Sequence, residues 1–390
     1  MIEPNQFVQL LMNFGIRSFS GVPDSLLKEF CLAVEDKGDQ CTHTITANEG
    51  GAIGIAIGHY LATRQIPVVY MQNSGIGNAI NPLCSLADIE VYGIPMLLII
   101  GWRGELDESG EQISDEPQHV KQGKVTEPLL ETLSIPTAII GSEYTLTTVK
   151  NIIADAVNTA YQKSIPVALL VRKNIFSFYT GNREPIDNNQ LPLRERALEW
   201  VISSFTKPLP TVCTTGMLSR ELFELRNKRK ESHNQDFLSI GGMGHASQIT
   251  YGIALEMPNN KVICLDGDGA LLMHLGGITN TSQAKNIIHI IFNNGVHDSV
   301  GGQKTQAKNI SLSNLASACG YANVVTANDE LTICNAVEKA LISPSSYCIE
   351  ILCSPGSRCN VGRPNISPYQ SRDSFQKFLV TSCIRQTKVE

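Results

Sequence analysis

The chain has 390 residues, 42% of them hydrophobic and 17% charged, with a formal net charge of -6. That length allows two or three domains with their own cores, and the composition excludes a disordered or collagen-like chain. The acidic balance argues against a general nucleic-acid binder and leaves room for a local basic pocket.

Eleven cysteines are scattered without a CxxC pair, which predicts reduced thiols in a cytoplasmic protein rather than a disulfide framework. Met1 to Leu11 carries Glu3 and no basic n-region, so no signal peptide is expected. No apolar run approaches the ~18 residues of a membrane span. Neither HExxH nor a Cys/His ligand spacing predicts zinc.

In chain order, Gln6 to Phe14 reads as a helix. Asp24 follows the Gly21-Val22-Pro23 turn and suits the N-cap of a helix over Ser25 to Phe30. Ala47 to Ala52 opens a helix in which Glu49 is favoured by the dipole, and Gly54 and Gly58 at i, i+4 allow close packing. Pro67 to Tyr70, Pro95 to Ile100 and Pro166 to Val171 are short and continuously apolar, with a helix over Thr148 to Gln162 before the third. Such runs predict strands of a parallel sheet covered on both faces.

Asn182 to Pro192, rich in Asn, Pro and charge, is the linker candidate. Beyond it Lys261 to Leu265, Ile287 to Phe292 and Tyr347 to Leu352 repeat the strand pattern, with a helix over Leu331 to Ala340. The expected fold is α/β, with two mostly parallel sheets flanked by helices and no middle domain. The domains are expected at 1–181 and 193–390, joined by 182–192.

Chemistry concentrates between Asp266 and Gly295. The strand ending at Leu265 leads into Asp266-Gly267-Asp268-Gly269, and the next strand leads into Asn293-Asn294-Gly295. Glycines at a strand end allow close approach to phosphate oxygens. A carboxylate and an amide oxygen are hard ligands suited to Mg²⁺ beside a diphosphate. Ordinary surface turns are the competing explanation, since Asp-Gly and Asn-Gly are common turn pairs.

Gly267-Asp268-Gly269, 23 residues and then Asn293-Asn294 resemble the signature of thiamine diphosphate-dependent enzymes, at the short end of its spacing. The resemblance implies a diphosphate-binding second domain, with Mg²⁺ held by Asp268, Asn294 and the Val296 carbonyl. It also implies a pyrimidine-binding first domain, whose Glu49 holds the aminopyrimidine ring. Asn73 and Ser74, in Gln72 to Asn78, look like the glycine-rich loop of that domain. Thr214 and Thr215 look like a diphosphate-side loop. Gly242 and Met243 look like the segment that bends the cofactor, although core filling is the commoner fate of a methionine.

Ser20 to Lys28, Gly101 to Gly104, Asp115 to Gly123, Thr214 to Phe223, Gly242 to Ser247, Asn293 to Gly302 and Gly362 to Pro364 together resemble the phosphonopyruvate decarboxylase family. The sulfopyruvate decarboxylases are its nearest relatives. At Asp298 a glutamate is expected, so the sequence keeps the charge there with a shorter arm. The resemblance implies decarboxylation of a small anionic 2-oxo acid in phosphonate biosynthesis. It also implies a homo-oligomer with its sites at the subunit interface, and neither nucleic acid nor membrane as a partner.

An anionic substrate needs local cations in an acidic chain. Arg103, His119, Lys121, Lys304, Arg358 and Arg363 are the candidates, and surface solvation is the alternative for each. Asp24, His119 and His297 are candidates for proton steering. Beside His245 a backbone partner is the simpler expectation. Two alternatives stay open: a sulfopyruvate decarboxylase or another thiamine-dependent 2-oxo acid decarboxylase, and a nucleotide-binding module. Gly75-Ile76-Gly77 and Gly242-Met243-Gly244 faintly resemble dinucleotide loops but lack the third glycine.

Overall fold

Alternation along the apolar runs builds the first sheet. Its strands are β1 (Ser18–Gly21), β2 (Thr42–Ile45), β3 (Val68–Gln72), β4 (Met96–Gly101), β5 (Thr137–Ile140) and β6 (Pro166–Val171). They run parallel in the order β2-β1-β3-β4-β6-β5. Val68, Tyr70, Leu97, Ile99, Val167 and Leu169 enter one core, and Val69, Met71, Leu98, Ile100, Ala168 and Leu170 enter another. A side chain on each face at every second residue is the reason these strands read as unbroken apolar runs.

The computed structural model describes residues 1–107, 109–182 and 190–387, and the side chains up to residue 382. Two units are present, Met1–Pro185 and Ile186–Glu390. Most of the linker candidate, 183–189, lies outside the described residues.

The second unit repeats the plan with β7 (Thr211–Cys213), β8 (Asp236–Leu238), β9 (Val262–Gly267), β10 (Ile287–Asn293), the two-residue β11 (Val296–His297) and β12 (Gln303–Lys304), β13 (Asn323–Ala327) and β14 (Tyr347–Leu352). The main sheet is parallel in the order β13-β14-β10-β9-β7-β8, and β11 and β12 form a separate antiparallel hairpin. Ile263, Leu265, Ile288, Ile290, Ile349 and Ile351 feed one core. Val212, Cys264, Val262 and Ile287 supply smaller clusters. Among the described cysteines no disulfide forms. Cys213, Cys264, Cys348 and Cys353 are buried in or beside this sheet, and burial pushes each thiol up.

The helices over Pro4–Asn13, Leu146–Lys163 and Glu330–Ile342 lie where the periodicity places them. Two local expectations need correction. The helix after Asp24 spans Lys28–Glu35 and begins at Leu27 without a side-chain cap. Asp24 instead caps the preceding turn, its Oδ2 accepting from the Leu26 amide at 2.9 Å. In the helix Glu49–Thr63, no described atom beyond the chain neighbours and the helix's own nearby backbone lies within 4 Å of a Cβ built at Gly54 or Gly58. The packing expected of that glycine pair is therefore absent within the described residues. No helix of the described residues is long and apolar enough to cross a membrane.

Candidate functional site

Within each unit the candidate residues gather where the parallel strands end, the edge at which open α/β sheets place ligands. In the first unit, Asp24 follows β1, Glu49 follows β2, Asn73 and Ser74 follow β3, and Arg103 follows β4. β2, β1, β3 and β4 are successive neighbours in the sheet.

Glu49 starts the helix Glu49–Thr63, behind an Asn48 cap whose Oδ1 accepts from the Gly51 amide at 2.8 Å. Its carboxyl is buried, and Oε2 accepts from Asn78 Nδ2 at 2.7 Å. Burial pushes this carboxyl up, opposed by the Asn78 amide. Gly75 must be glycine for Glu49 to sit there, because a Cβ would lie 2.3 Å from Glu49 Oε1.

Asn73 is turned inward. It donates from Nδ2 to the Arg103 carbonyl and to Thr126 Oγ1, both at 2.9 Å, and accepts from the Arg103 amide at 3.2 Å. It therefore holds the loop after β4, and its neighbour Ser74 is exposed. That loop aims Arg103 at Asp115 through Nε at 2.8 Å and Nη2 at 2.5 Å, and at Ser25 Oγ through Nη1 at 3.1 Å. Although partial burial opposes it, the Arg103 guanidinium holds the Asp115 carboxyl well below the usual carboxylate range.

Asp24 is 1% exposed, and its Oδ1 is buried with no hydrogen-bond partner. Burial pushes its carboxyl up to about 6, against the Leu26 amide and the Arg103 charge. His119 is buried near the start of the helix Pro117–Thr132, whereas Lys121 is exposed.

In the second unit Thr214 and Thr215 follow β7, and Gly242 and Met243 lie in the segment after β8. Asp268 follows β9 and Asn294 follows β10. β9 and β10 pair directly. Gly295, at φ +69°, turns the chain into the β11–β12 hairpin. The hairpin returns Thr305, whose amide donates to the Gly295 carbonyl at 2.8 Å and whose hydroxyl donates to Asp268 Oδ2. Burial pushes the Asp268 carboxyl up to about 6, with the Thr305 hydroxyl opposing.

Asn294 Oδ1 accepts from the Val296 amide at 3.2 Å. His297 is half-buried, and burial pushes it down to about 4, against the neighbouring Asp298 charge. It packs on Gly269, where a Cβ would lie 2.8 Å from its Cε1. The third residue of Gly267-Asp268-Gly269 must therefore be small.

These side chains suit a metal-bound diphosphate. Asp268, the Asn294 amide oxygen and the Val296 carbonyl are hard oxygen donors on one short stretch of sheet edge. A cation would return the buried Asp268 to its ionised form. Thr214 Oγ1 is buried with no partner, a donor position suited to a phosphate oxygen. Gly242 and Gly244 take φ +64° and +87°, and Met243 between them is half-buried. His245 Nδ1 lies 3.1 Å from the Gly242 carbonyl, the backbone partner expected for it.

Lys304 and Arg363 are exposed. Arg358 forms a fork on Glu195 at 2.6 and 2.9 Å and also donates to Glu224. Asn78, Asp115, Thr126 and Thr305 escaped the motif reading. Asn78 and Asp115 stand inside segments already singled out, but nothing in the spacing shows which side chains they hold.

Two family profiles match the chain: "Thiamine pyrophosphate enzyme, N-terminal TPP binding domain" over residues 4–126, and "Thiamine pyrophosphate enzyme, C-terminal TPP binding domain" over residues 214–351. A phosphonopyruvate decarboxylase of Streptomyces viridochromogenes is 30% identical, across 98% of this chain and 96% of that protein. Another of that name, from Streptomyces hygroscopicus, is 30% identical across 97% and 94%. A sulfopyruvate decarboxylase of Methanosarcina acetivorans is 28% identical across 97% and 98%.

Proposed function

This chain belongs to the thiamine pyrophosphate-dependent decarboxylases, and we propose that within them it converts 3-phosphonopyruvate to phosphonoacetaldehyde and carbon dioxide, without oxidation, in phosphonate biosynthesis. The observation that carries the reading is likeness to the phosphonopyruvate decarboxylases along nearly the whole of both chains.

Bound thiamine diphosphate supplies the electron sink that a departing carboxylate requires. The residues of this chain do the rest. Asp268, Asn294 and the Val296 carbonyl hold Mg²⁺, and Gly267, Gly269, Thr214 and Thr215 border the diphosphate. Gly242 and Met243 of the second unit would support the bend of the cofactor, and Asn73 and Ser74 of the first unit would also border it. Glu49 presents a buried carboxyl to the aminopyrimidine. Burial pushes this carboxyl up, and Asn78 holds its Oε2.

Arg103, His119, Lys304, Arg358 and Arg363 form the cation set for phosphonate and carboxylate, Arg103 already braced by Asp115. Asp24, His119 and His297 steer protonation, with burial opposing a charge on His297. The active form is a homo-oligomer of at least two chains with the site at their interface. The scattered, odd-numbered cysteines suit the cytoplasm.

Turnover on phosphonopyruvate, sulfopyruvate and pyruvate tests the substrate. Phosphonopyruvate is expected to have the highest kcat/KM, and a higher value on sulfopyruvate overturns the assignment. Thermal stabilisation by thiamine diphosphate with Mg²⁺, and not by NAD or ATP, separates this reading from a nucleotide-binding module.

A further inference from the structure

Asp298 has no part in the chemistry above, yet three separate segments of the second unit meet on its carboxylate. Oδ2 accepts from Asn294 Nδ2 at 2.7 Å and from Arg194 Nη1 at 2.8 Å. Oδ1 accepts from the Gly356 amide at 3.0 Å, in the loop that carries Arg358 and Arg363. Behind it, Arg194 forks onto Glu221 at 2.8 and 2.9 Å. The side chains of Arg194, Glu221 and Asp298 are 8%, 1% and 8% exposed. Arg194 is held charged by Glu221 and Asp298 against its burial. The carboxylate is therefore braced from behind by a buried fork rather than suspended in solvent.

The contact with Asn294 has a direction. An amide has a donor end and an acceptor end, whereas an ionised carboxylate only accepts. Asn294 can meet Asp298 only through Nδ2, which turns Oδ1 to the other side, where it takes the Val296 amide. Oδ1 is the atom a hard cation would use, and Val296 supplies the neighbouring carbonyl.

We propose that Asp298 is a positioning residue: it fixes which end of the Asn294 amide faces the metal, and through the Gly356 amide it ties the Ser354–Pro364 loop to the same carboxylate. Metal retention and placement of that loop are thereby coupled. The inference rests on the reading of Asn294 as a metal ligand.

Calorimetric titration of thiamine diphosphate into the full-length protein, over a series of Mg²⁺ concentrations, tests it. Asp298→Asn puts an amide where the acceptor was, so Asn294 can turn over and still pair. The Mg²⁺ concentration for half-maximal binding is expected to rise at least ~10-fold, the size of loss typical for partners of metal ligands. At saturating Mg²⁺, thiamine diphosphate affinity is expected to return to within about three-fold of wild type. Asp298→Glu, which keeps an acceptor-only group, is expected to restore wild-type Mg²⁺ dependence.

An Asp298→Asn protein with unchanged Mg²⁺ dependence overturns the inference and leaves the cofactor assignment standing. So does a loss of affinity that is equal at every Mg²⁺ concentration. A wild type that binds no thiamine diphosphate with any divalent ion removes the cofactor assignment and the inference together. Should Asp298→Asn fail to fold, a crystal structure of the wild type with both ligands decides. Asn294 Oδ1 on the metal with Nδ2 still on Asp298 supports the inference, and a broken Asn294–Asp298 contact overturns it.

Discussion

Replacing Asp24 with asparagine is expected to stabilise the protein and cripple its turnover. The carboxyl is 1% exposed, one oxygen has no hydrogen-bond partner, and its pKa stands at about 6 against 3.8 for the ordinary group. At ~1.36 kcal/mol per pH unit, holding it ionised costs the folded state about 3 kcal/mol above pH ~7. The folded pKa lies above the unfolded one. The cost is therefore absent below about pH 3.8, grows between there and about 6, and levels off above 6. At pH ~5 it amounts to about half its full value.

Asparagine keeps an oxygen for the Leu26 amide and sheds the charge. In urea titrations at pH ~7.5 Asp24→Asn should gain up to about 3 kcal/mol, and at pH ~5 roughly 1.5 kcal/mol. The attraction to Arg103 is already contained in both figures, since it lowers the pKa from which they are worked. In parallel, kcat/KM should fall at least ~100-fold if this carboxyl steers protonation. A variant less stable than wild type at pH ~7.5, or a gain that does not shrink toward pH ~5, would refute the reasoning.

Three further outcomes follow from the geometry. Glu49→Gln should lower kcat at least ~100-fold while thiamine diphosphate affinity, read by calorimetry, stays within about ten-fold; wild-type turnover would sink the role given to Glu49. Chelation of divalent ions should release the cofactor and abolish turnover, and added Mg²⁺ should restore both; activity indifferent to EDTA would count against Asp268, Asn294 and Val296 as ligands. At Gly123 a Cβ would lie 1.6 Å from the Gly104 carbonyl oxygen. Gly123→Ala should therefore cost about 3 kcal/mol or more and lower Tm, and an unchanged Tm would show that the helix Pro117–Thr132 can shift cheaply.

The legible strands share a position. β3, β4 and β6 are consecutive in the first sheet, and β14, β10 and β9 are consecutive in the second. Each is buried on both faces over four or more residues. β1, β2, β7 and β8 have three or four residues and mix in Ser18, Ser20, Thr42, Thr44 and Asp236. Neither periodicity nor an apolar run can show in so short a segment. Asp268 and Asn294 stand at the ends of two paired strands, so the apolar runs before them show where in the sheet they lie. The Arg194–Asp298 contact spans 104 residues, and the Asn73–Arg103 lock depends on which way one amide turns. Such pairings are decided by packing and leave no periodic trace. Asp24 misled for a related reason: a good capping residue before a turn looks the same whether the helix starts at once or four residues on.

The buried cysteines make the protein its own clock. Cys84 and Cys359 are exposed, while Cys213, Cys264, Cys348 and Cys353 are sealed in the second sheet and Cys31 in the first unit. An alkylating reagent reaches the exposed pair at once and the others only when their unit opens, because only an accessible thiolate reacts. Peptide-resolved labelling in the unmodified enzyme would time each unit separately, with Cys31 reporting one and the four sheet thiols the other. Slower labelling of those four alone on adding thiamine diphosphate and Mg²⁺ would assign the ligand's grip to the second unit without any substitution.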